Sequence, residues 1–285
     1  MPDPNAEIIR VRRRLAELER ERQTLEAELS HLKTKAVRAK PVTTETAALS
    51  NQEKVKIFRQ LFRGREDVFP TRWENTKSGK SGYAIACGNE WVRGICNKPR
   101  VKCSACEHKA FLPVTDDMIR FHLSGKDGRG KPFCAGVYPM FLDETCWFLA
   151  ADFDKETWAD DVAAFVQTCR RSGIPAHVER SRSGKGGHVW IFFEEPVSAI
   201  DARKLGTFLL TRTMEAHPEL GFASYDRLFP NQDTLPKGGL GNLIALPLQF
   251  GPRQLGNSVF VDRDFKPYDD QWQYLAAAKR VPRKK

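Results

Sequence analysis

Two aspartates one residue apart, Asp152 and Asp154, end the apolar run CWFLAA at residues 146–151. Strand side chains alternate, so both carboxylates project from one face while Phe153 turns to the other. So close together they repel when ionised, and a divalent cation relieves the repulsion: Mg²⁺ or Mn²⁺ takes hard oxygen ligands and keeps positions open for phosphate oxygens. One such ion, or a pair, can stabilise both an attacking 3′-hydroxyl and a leaving pyrophosphate. A DxD alone also occurs at strand ends with both acids in water; its place after an apolar run is what favours catalysis. Further along, Ser181, Arg182, Ser183, Gly184, Lys185, Gly186 and Gly187 lead into His188. Glycines let backbone N–H groups approach phosphate oxygens, Lys185 and Arg182 bring charge, and Ser183 and His188 can donate hydrogen bonds. Alone this is a flexible basic turn; beside a strand ending in paired acids it is the expected triphosphate cradle. Asp226, in SYDRLFPNQD, is the best candidate for a third metal ligand, with Asp233 its competitor.

A second constellation is made of sulfur. Cys87, Cys96, Cys103 and Cys106 have eight, six and two intervening residues, the last pair being a true CxxC. Thiolates so spaced can close a tetrahedral Zn²⁺ site, which would hold a loop-rich segment in shape. His108 or His122 could replace one of the four. The alternative is a set of scattered reduced thiols; a redox CxxC is less apt, since no thioredoxin-like strand precedes it. Arg93, Lys98, Arg100, Lys102 and Lys109, with Trp91 and Phe111 interleaved, suit backbone contact and base stacking on a DNA template. Cys134, Cys146 and Cys169 read as ordinary buried thiols.

The chain has 285 residues, 41% of them hydrophobic, enough for one large domain or two modest ones. Its 46 Lys and Arg against 36 Asp and Glu, a formal +10, favour a polyanionic partner over an acidic small metabolite alone. The surplus is concentrated: residues 54–131 hold 17 basic against 8 acidic residues, which points to a surface. No apolar run reaches the roughly 18 residues that cross a bilayer, and MPDPNAEIIRVRRR lacks the apolar core of a secretory signal. The expectation is a cytoplasmic protein with no membrane partner, in which crowded cysteines bind metal instead of forming disulfides.

The elements that must position these groups are legible in part. Ile8, Val11, Leu15, Leu18, Leu25, Leu29 and Leu32 alternate spacings of three and four, with Arg22 the polar entry at the seam. This heptad pattern predicts a coiled-coil helix over residues 1–40, pairing two copies or a partner subunit, or else a single helix packed on its own domain. Residues 41–49 read as a linker. Ser50 and Glu53 form a capping-box pattern ahead of Val55, Ile57, Phe58, Leu61 and Phe62. A basic zinc-binding portion follows over 50–135, with regular structure hard to assign, and a catalytic core over 136–285. Within the core the sequence predicts a strand at 146–151, a helix carrying Trp158, Val162, Phe165, Val166 and Cys169, strands at 176–179 and 188–193 joined as a hairpin, a helix at 199–215 and a final buried strand at 243–248. The order βαββαβ is that of a ferredoxin-like or RRM-like sheet, an α+β scaffold that does not fix function.

The combination of DFD at 152–154, SGKGGH at 183–188 and Tyr225-Asp226 resembles the three motifs of the archaeo-eukaryotic primase superfamily. GVYPMFLDETCWFLAADFD, ERSRSGKGGHVWIFF, SYDRLFPNQDTLPKGGLGNLIALPLQ and GNSVFVD resemble more closely the primase-polymerase domain of TOTE conflict systems, over about residues 65–275. The resemblance implies an RRM-like catalytic core of that superfamily's type. It implies that Asp152, Asp154 and Asp226 hold catalytic Mg²⁺ or Mn²⁺, that Ser183, Lys185 and His188 contact the phosphates of an incoming dNTP or NTP, and that Arg180 and Arg182 assist. Lys237, Asn242 and Arg253 lie in further similar segments without an assigned role. It also implies template-directed synthesis on DNA, with or without a primer, and helicase and nuclease partners. No Walker loop follows the primase segment, so a helicase is expected as a separate protein or a part missing here. Two rival readings remain on residues alone: a metal-dependent nuclease, which has little need of a triphosphate loop, and a non-catalytic nucleic-acid adaptor, which has little need of three acidic motif positions.

Overall fold

The computed structural model describes the backbone of residues 4–38 and 49–282. It divides into two units, residues 1–48 and 49–285. The first contains helix α1 (Pro4–Arg38). Four seam residues of the heptad pattern, Val11, Leu15, Leu18 and Leu25, are exposed along it. Arg22, the polar residue of the seam, pairs with Glu19 and Glu26 at 2.6 and 2.7 Å. The side chains of Ile8, Leu29 and Leu32 lie outside the described residues, as does the expected linker except for its last residue. No described helix is long and apolar enough to cross a membrane.

In the second unit α2 (Asn51–Leu61) starts at the expected capping box: Ser50 Oγ accepts from Glu53 N at 3.3 Å, and Glu53 Oε2 accepts from Ser50 N at 2.7 Å. Its apolar stripe buries Val55, Phe58 and Leu61. The next segment, expected to be irregular, instead opens with an antiparallel hairpin, β1 (Pro70–Asn75) and β2 (Lys80–Ile85). Its burial fades from Pro70 to the exposed tip, so no alternation of apolar residues announces it. Helix α3 (Asp116–Ser124) follows, capped by Thr115 Oγ1 accepting from Met118 N and ended by Gly125 at φ 75°. Strand β3 (Gly136–Val137) then leads into the core.

The core runs β4 (Thr145–Asp154), α4 (Trp158–Arg171), β5 (His177–Arg180), β6 (Gly186–Ser198), α5 (Ala199–Ala216) and β7 (Tyr225–Phe229), followed by β8 (Ile244–Ala245), α6 (Phe250–Arg253), β9 (Val259–Val261) and α7 (Gln271–Ala276). The mixed α+β architecture is as expected. The main sheet has the order β7-β4-β6-β5-β9, every neighbouring pair antiparallel. One strand was misplaced from sequence. Residues 243–248 do not supply the last strand of the βαββαβ unit; only Ile244–Ala245 is extended, and it pairs with β3 outside the main sheet. The place beside β4 belongs to β7, whose Asp226-Arg227 pair hid it from an apolar-run search. Strand β9, three residues long, also carries too little pattern to be read.

Both faces of β4 are covered, which is why residues 148–151 are an unbroken buried run. Leu149, Leu228 and Phe153 meet α4 and α5, with Phe153 and Phe165 centroids 5.6 Å apart. Gly206 lets α5 close on the sheet: an added Cβ would stand 2.7 Å from Leu228 and 3.0 Å from Leu149. On the other face Phe62, just beyond α2, packs edge-on to Trp190 and Phe192 at 5.0 and 5.5 Å. The N-terminal portion and the sheet thus share one apolar core.

Candidate active site

Directly opposite residues on antiparallel strands present their side chains to the same face. Asp152 stands opposite His188 on β6 and opposite Arg227 on β7, while His188 stands opposite Glu179 on β5. One row of charge therefore crosses four strands, on the face that carries Trp190 and Phe62. The register between β4 and β7 slips between Asp152 and Phe153, where Tyr225 and Arg227 pair and Asp226 is the extra residue. Such a bulge re-aims a side chain. It sets Asp226 beside Arg227, whose Nε donates to Asp226 Oδ2 at 2.7 Å, and within electrostatic reach of Asp152.

Burial pushes the Asp152 carboxyl up to about 6; Asp154 and Asp226 push the same way, while His188 and Arg227 pull it down. Burial opposes a charged His188, but Glu179, by charge and hydrogen bond, and then Asp152 and Asp154 outweigh it and raise the imidazole to about 9. His188 is thus an imidazolium at neutral pH. Its Nδ1 donates to Glu179 Oε2 at 2.9 Å and its Nε2 lies 3.4 Å from Asp152 Oδ1. Glu179, 2% exposed, also accepts from Trp190 Nε1 at 3.0 Å and Ser258 Oγ at 3.4 Å. Sequence reasoning passed over Glu179. No local signal marks it: β5 reads His-Val-Glu-Arg, and only the fold shows that Glu179 is buried with partners.

The loop between β5 and β6 sits at the Asp154 end of β4. Asp154 pairs with Gly186, and a Cβ there would fall 2.4 Å from Asp154 Oδ1 and 2.6 Å from Phe153 O, so no other residue fits. Ser183 Oγ accepts from Lys185 N at 3.1 Å and lies 3.1 Å from Ser181 Oγ. Ser183 and Lys185 are exposed, and the Lys185 ammonium has no partner among the described residues. Arg180 and Arg182 are differently employed. Arg180 donates to the carbonyls of Gly256, at 3.0 Å, and Phe265, tying down the chain around β9. Arg182 donates to Gln249 Oε1 at 2.6 Å and Glu74 Oε1 at 2.9 Å, joining the loop to the β1–β2 hairpin. The approach to β7 is fixed by the buried Asp161 of α4, which accepts from Ser224 Oγ at 2.5 Å and Thr157 Oγ1 at 3.2 Å. Asp233, the competitor of Asp226, pairs instead with Arg203 of α5.

The cysteine segment is built differently. From residue 87 to 117 no described residue is buried, and Trp91, Val92, Ile95 and Val101 are exposed. Cys87, Cys96, Cys103, Cys106 and His108 nevertheless line one small cavity. Cys87 Sγ accepts from Ala110 N at 3.4 Å. His122 lies elsewhere: Nδ1 accepts from Ala135 N at 3.1 Å and Nε2 donates to Pro247 O at 2.8 Å, which leaves no ring nitrogen for a metal. Of the five basic residues expected at DNA, Arg93, Arg100, Lys102 and Lys109 are exposed, whereas Lys98 is bound to Glu90 at 2.7 Å. Among the described residues no group of three or more His, Cys, Asp or Glu side chains is arranged, as it stands, to hold a metal ion. In donor chemistry alone, carboxylates such as Asp152, whose proton affinity Asp154 and Asp226 raise, suit a hard cation, and four thiols lining one cavity suit zinc.

The family model of the TOTE conflict system archaeo-eukaryotic primase domain matches residues 53–285, and the chain belongs to that family of primase-polymerases. No curated protein matches the chain. Among solved structures it is similar to the polymerase domain of Mycobacterium tuberculosis Ligase D in complex with DNA, at 11% identity and a TM-score of 0.39 over 80% of this chain and 83% of that one; so distant a likeness carries no functional weight.

Proposed function

We propose that this chain is a metal-dependent DNA primase-polymerase, transferring nucleotides from dNTPs or NTPs to a 3′-hydroxyl under the direction of a DNA template. What supports the reading is that Asp154, two residues along β4, and Asp226, at the bulge of β7, both act electrostatically on Asp152 beside a basic glycine loop. A divalent cation held by these three carboxylates would supply Lewis-acid stabilisation of charge on the phosphates and on the attacking oxygen. The protein's own contribution is placement. His188, kept cationic by Glu179, presents its Nε2–H on the carboxylate face as a donor to a phosphate oxygen. Lys185 and Ser183 are the exposed groups of the loop that meet the triphosphate, while Arg180 and Arg182 anchor the loop where it leaves β5. The scaffold is an RRM-like sheet of archaeo-eukaryotic primase type.

Zn²⁺ at Cys87, Cys96, Cys103 and Cys106 would order the segment that carries Arg93, Arg100, Lys102 and Lys109, which supply phosphate contacts to template. Exposed Val11, Leu15, Leu18 and Leu25 support pairing of α1 with a second copy or a partner subunit. Helicase and nuclease partners fit a domain that needs its template opened. The decisive experiment is an extension assay on templated DNA with dNTPs and with NTPs, with and without primer. The wild-type chain extends; the D152A/D154A double variant loses at least about 10³-fold in rate, as loss of a main electrostatic stabiliser does, while retaining DNA binding. Full activity in that variant, or cleavage of labelled DNA without nucleotides and no extension with them, rejects the reading.

A further inference from the structure

Segment 246–258 passes twice through backbone that favours glycine, with no glycine at either place. Leu248 and Ser258 stand at φ 59° and 54°, and both are wholly buried. A residue with a Cβ is held in that region only where its surroundings leave no alternative, and such strain gathers at functional sites. The two are bound to each other, Leu248 N donating to Ser258 O at 2.7 Å. Together they seat the glycine loop between β5 and β6. Ser258 N donates to Ser181 O at 3.3 Å, and Asn257 packs so close to Gly184 that a Cβ added there would stand 2.7 Å from Asn257 Oδ1.

Two buried side chains carry this seat to the groups that flank the loop. Gln249, 2% exposed, donates its Nε2 to Leu246 O at 3.1 Å, which turns Oε1 to accept from Arg182 Nη1 at 2.6 Å. Its backbone N donates to Ser258 Oγ at 3.2 Å, and the single hydrogen of that hydroxyl goes to Glu179 Oε1 at 3.4 Å. Among the described residues no other side chain donates to Glu179 Oε1; His188 and Trp190 both bind Oε2. One line of hydrogen bonds therefore runs from Arg182 through Gln249, Ser258 and Glu179 to His188. Arg182 stands where the loop begins, and His188 just past its end. Removing the Ser258 hydroxyl would leave Gln249 N and Glu179 Oε1 buried without these partners, a cost that a group serving only to fill space does not carry.

We propose that Ser258 and Gln249 are positioning residues of the candidate active site, holding Arg182 and His188 at one fixed spacing across the glycine loop and so presenting that loop to a triphosphate. Only the triphosphate rests on the polymerase reading; the fixing of the loop does not. Two measurements on the full chain test it: calorimetry of dATP with Mg²⁺, and amide hydrogen exchange without nucleotide. S258A weakens dATP binding about 10-fold, the scale of one lost hydrogen bond to a charged group, and in extension it raises KM more than it lowers kcat. In an H188Q background S258A has little further effect, because it acts through that ring, whereas a hydroxyl that only supported packing would cost the same in both backgrounds. S258G relieves the left-handed strain but also lacks the hydroxyl, and it is as defective as S258A. In S258A and in Q249L the amides of Ser181 and Gly184, bonded to Gly186 O and Ser181 O, lose protection while β4 keeps its own. S258G and Q249L carry the same readouts if S258A does not fold. Unchanged dATP affinity in a folded Ser258 variant, an equal cost in the H188Q background, or S258G binding as wild type overturns the proposal. If dATP does not bind the wild type and the variants still free the loop amides, the polymerase reading alone fails. If dATP binds and neither affinity nor exchange responds to the variants, the positioning alone fails.

Discussion

The charged row of the main sheet and the cysteine segment are both polar, yet they are held by opposite means. In the row, Asp152, His188 and Glu179 share a face with Trp190 and Phe62, and Phe153 packs the opposite face of β4. Apolar burial fixes the backbone there, and the fixed backbone forces like charges together at a cost. From residue 87 to 117 nothing described is buried, so apolar burial does not fix the backbone; hydrogen bonds such as Gly88 N to Ala110 O and Asn89 to His108 O, and the Lys98–Glu90 pair, are what tie it. The lesson is that the charged groups of the first region are consequences of the fold, while on the proposed zinc reading the sulfur groups of the second would be a cause of it.

That contrast can be broken most severely at the sulfur. If zinc orders the cysteine segment, metal analysis finds about one zinc per chain, and C103S/C106S or strong chelation exposes Arg93, Arg100 and Lys102 to trypsin while the core unfolds cooperatively as before. Structural zinc in small domains contributes on the order of 10 kcal/mol of local folding energy, so protection of the segment falls by orders of magnitude. Equal protease resistance with and without zinc would erase the distinction between the regions.

The core side is tested by pH. Burial holds His122 down at about 4, and Ala135 and Pro247 occupy both its nitrogens in the neutral form. Between an unfolded value near 6.5 and about 4 the unfolded chain binds a proton that the folded chain refuses. Folded stability therefore falls as pH drops through that window, by at most about 3 kcal/mol, and is indifferent to this group above and below it. Urea denaturation from pH 7.5 to 4 should show this slope in the wild type and about one proton less of it in H122Q, whatever that variant's absolute stability. Identical slopes would mean that His122 is not sequestered.

A smaller effect distinguishes placement from mere packing in the charged row. In E179Q the His188 ring keeps an acceptor at Nδ1 but loses the charge that favours its imidazolium. The expected result is a rise of about 10-fold in KM for nucleotide with little change in kcat, and an acid-shifted pH dependence of KM. A fall in kcat alone, with KM and its pH profile unmoved, would make Glu179 a packing residue.

Local chemistry was enough for much of this. The period of two put Asp152 and Asp154 on one face, the capping box at Ser50 and Glu53 started α2, glycines marked the turn at 183–187, and the heptad spacing placed α1, because each of these signals is complete within a few residues of chain. Tertiary structure alone decided which strand lies beside β4, that a bulge there delivers Asp226 and leaves Asp233 with Arg203, that Glu179 is buried behind His188, and that Arg180 and Arg182 are occupied as anchors. The reason is that strand register is set by hydrogen bonds and packing between segments tens of residues apart. A charged strand such as β7 carries no local pattern from which its neighbour can be read.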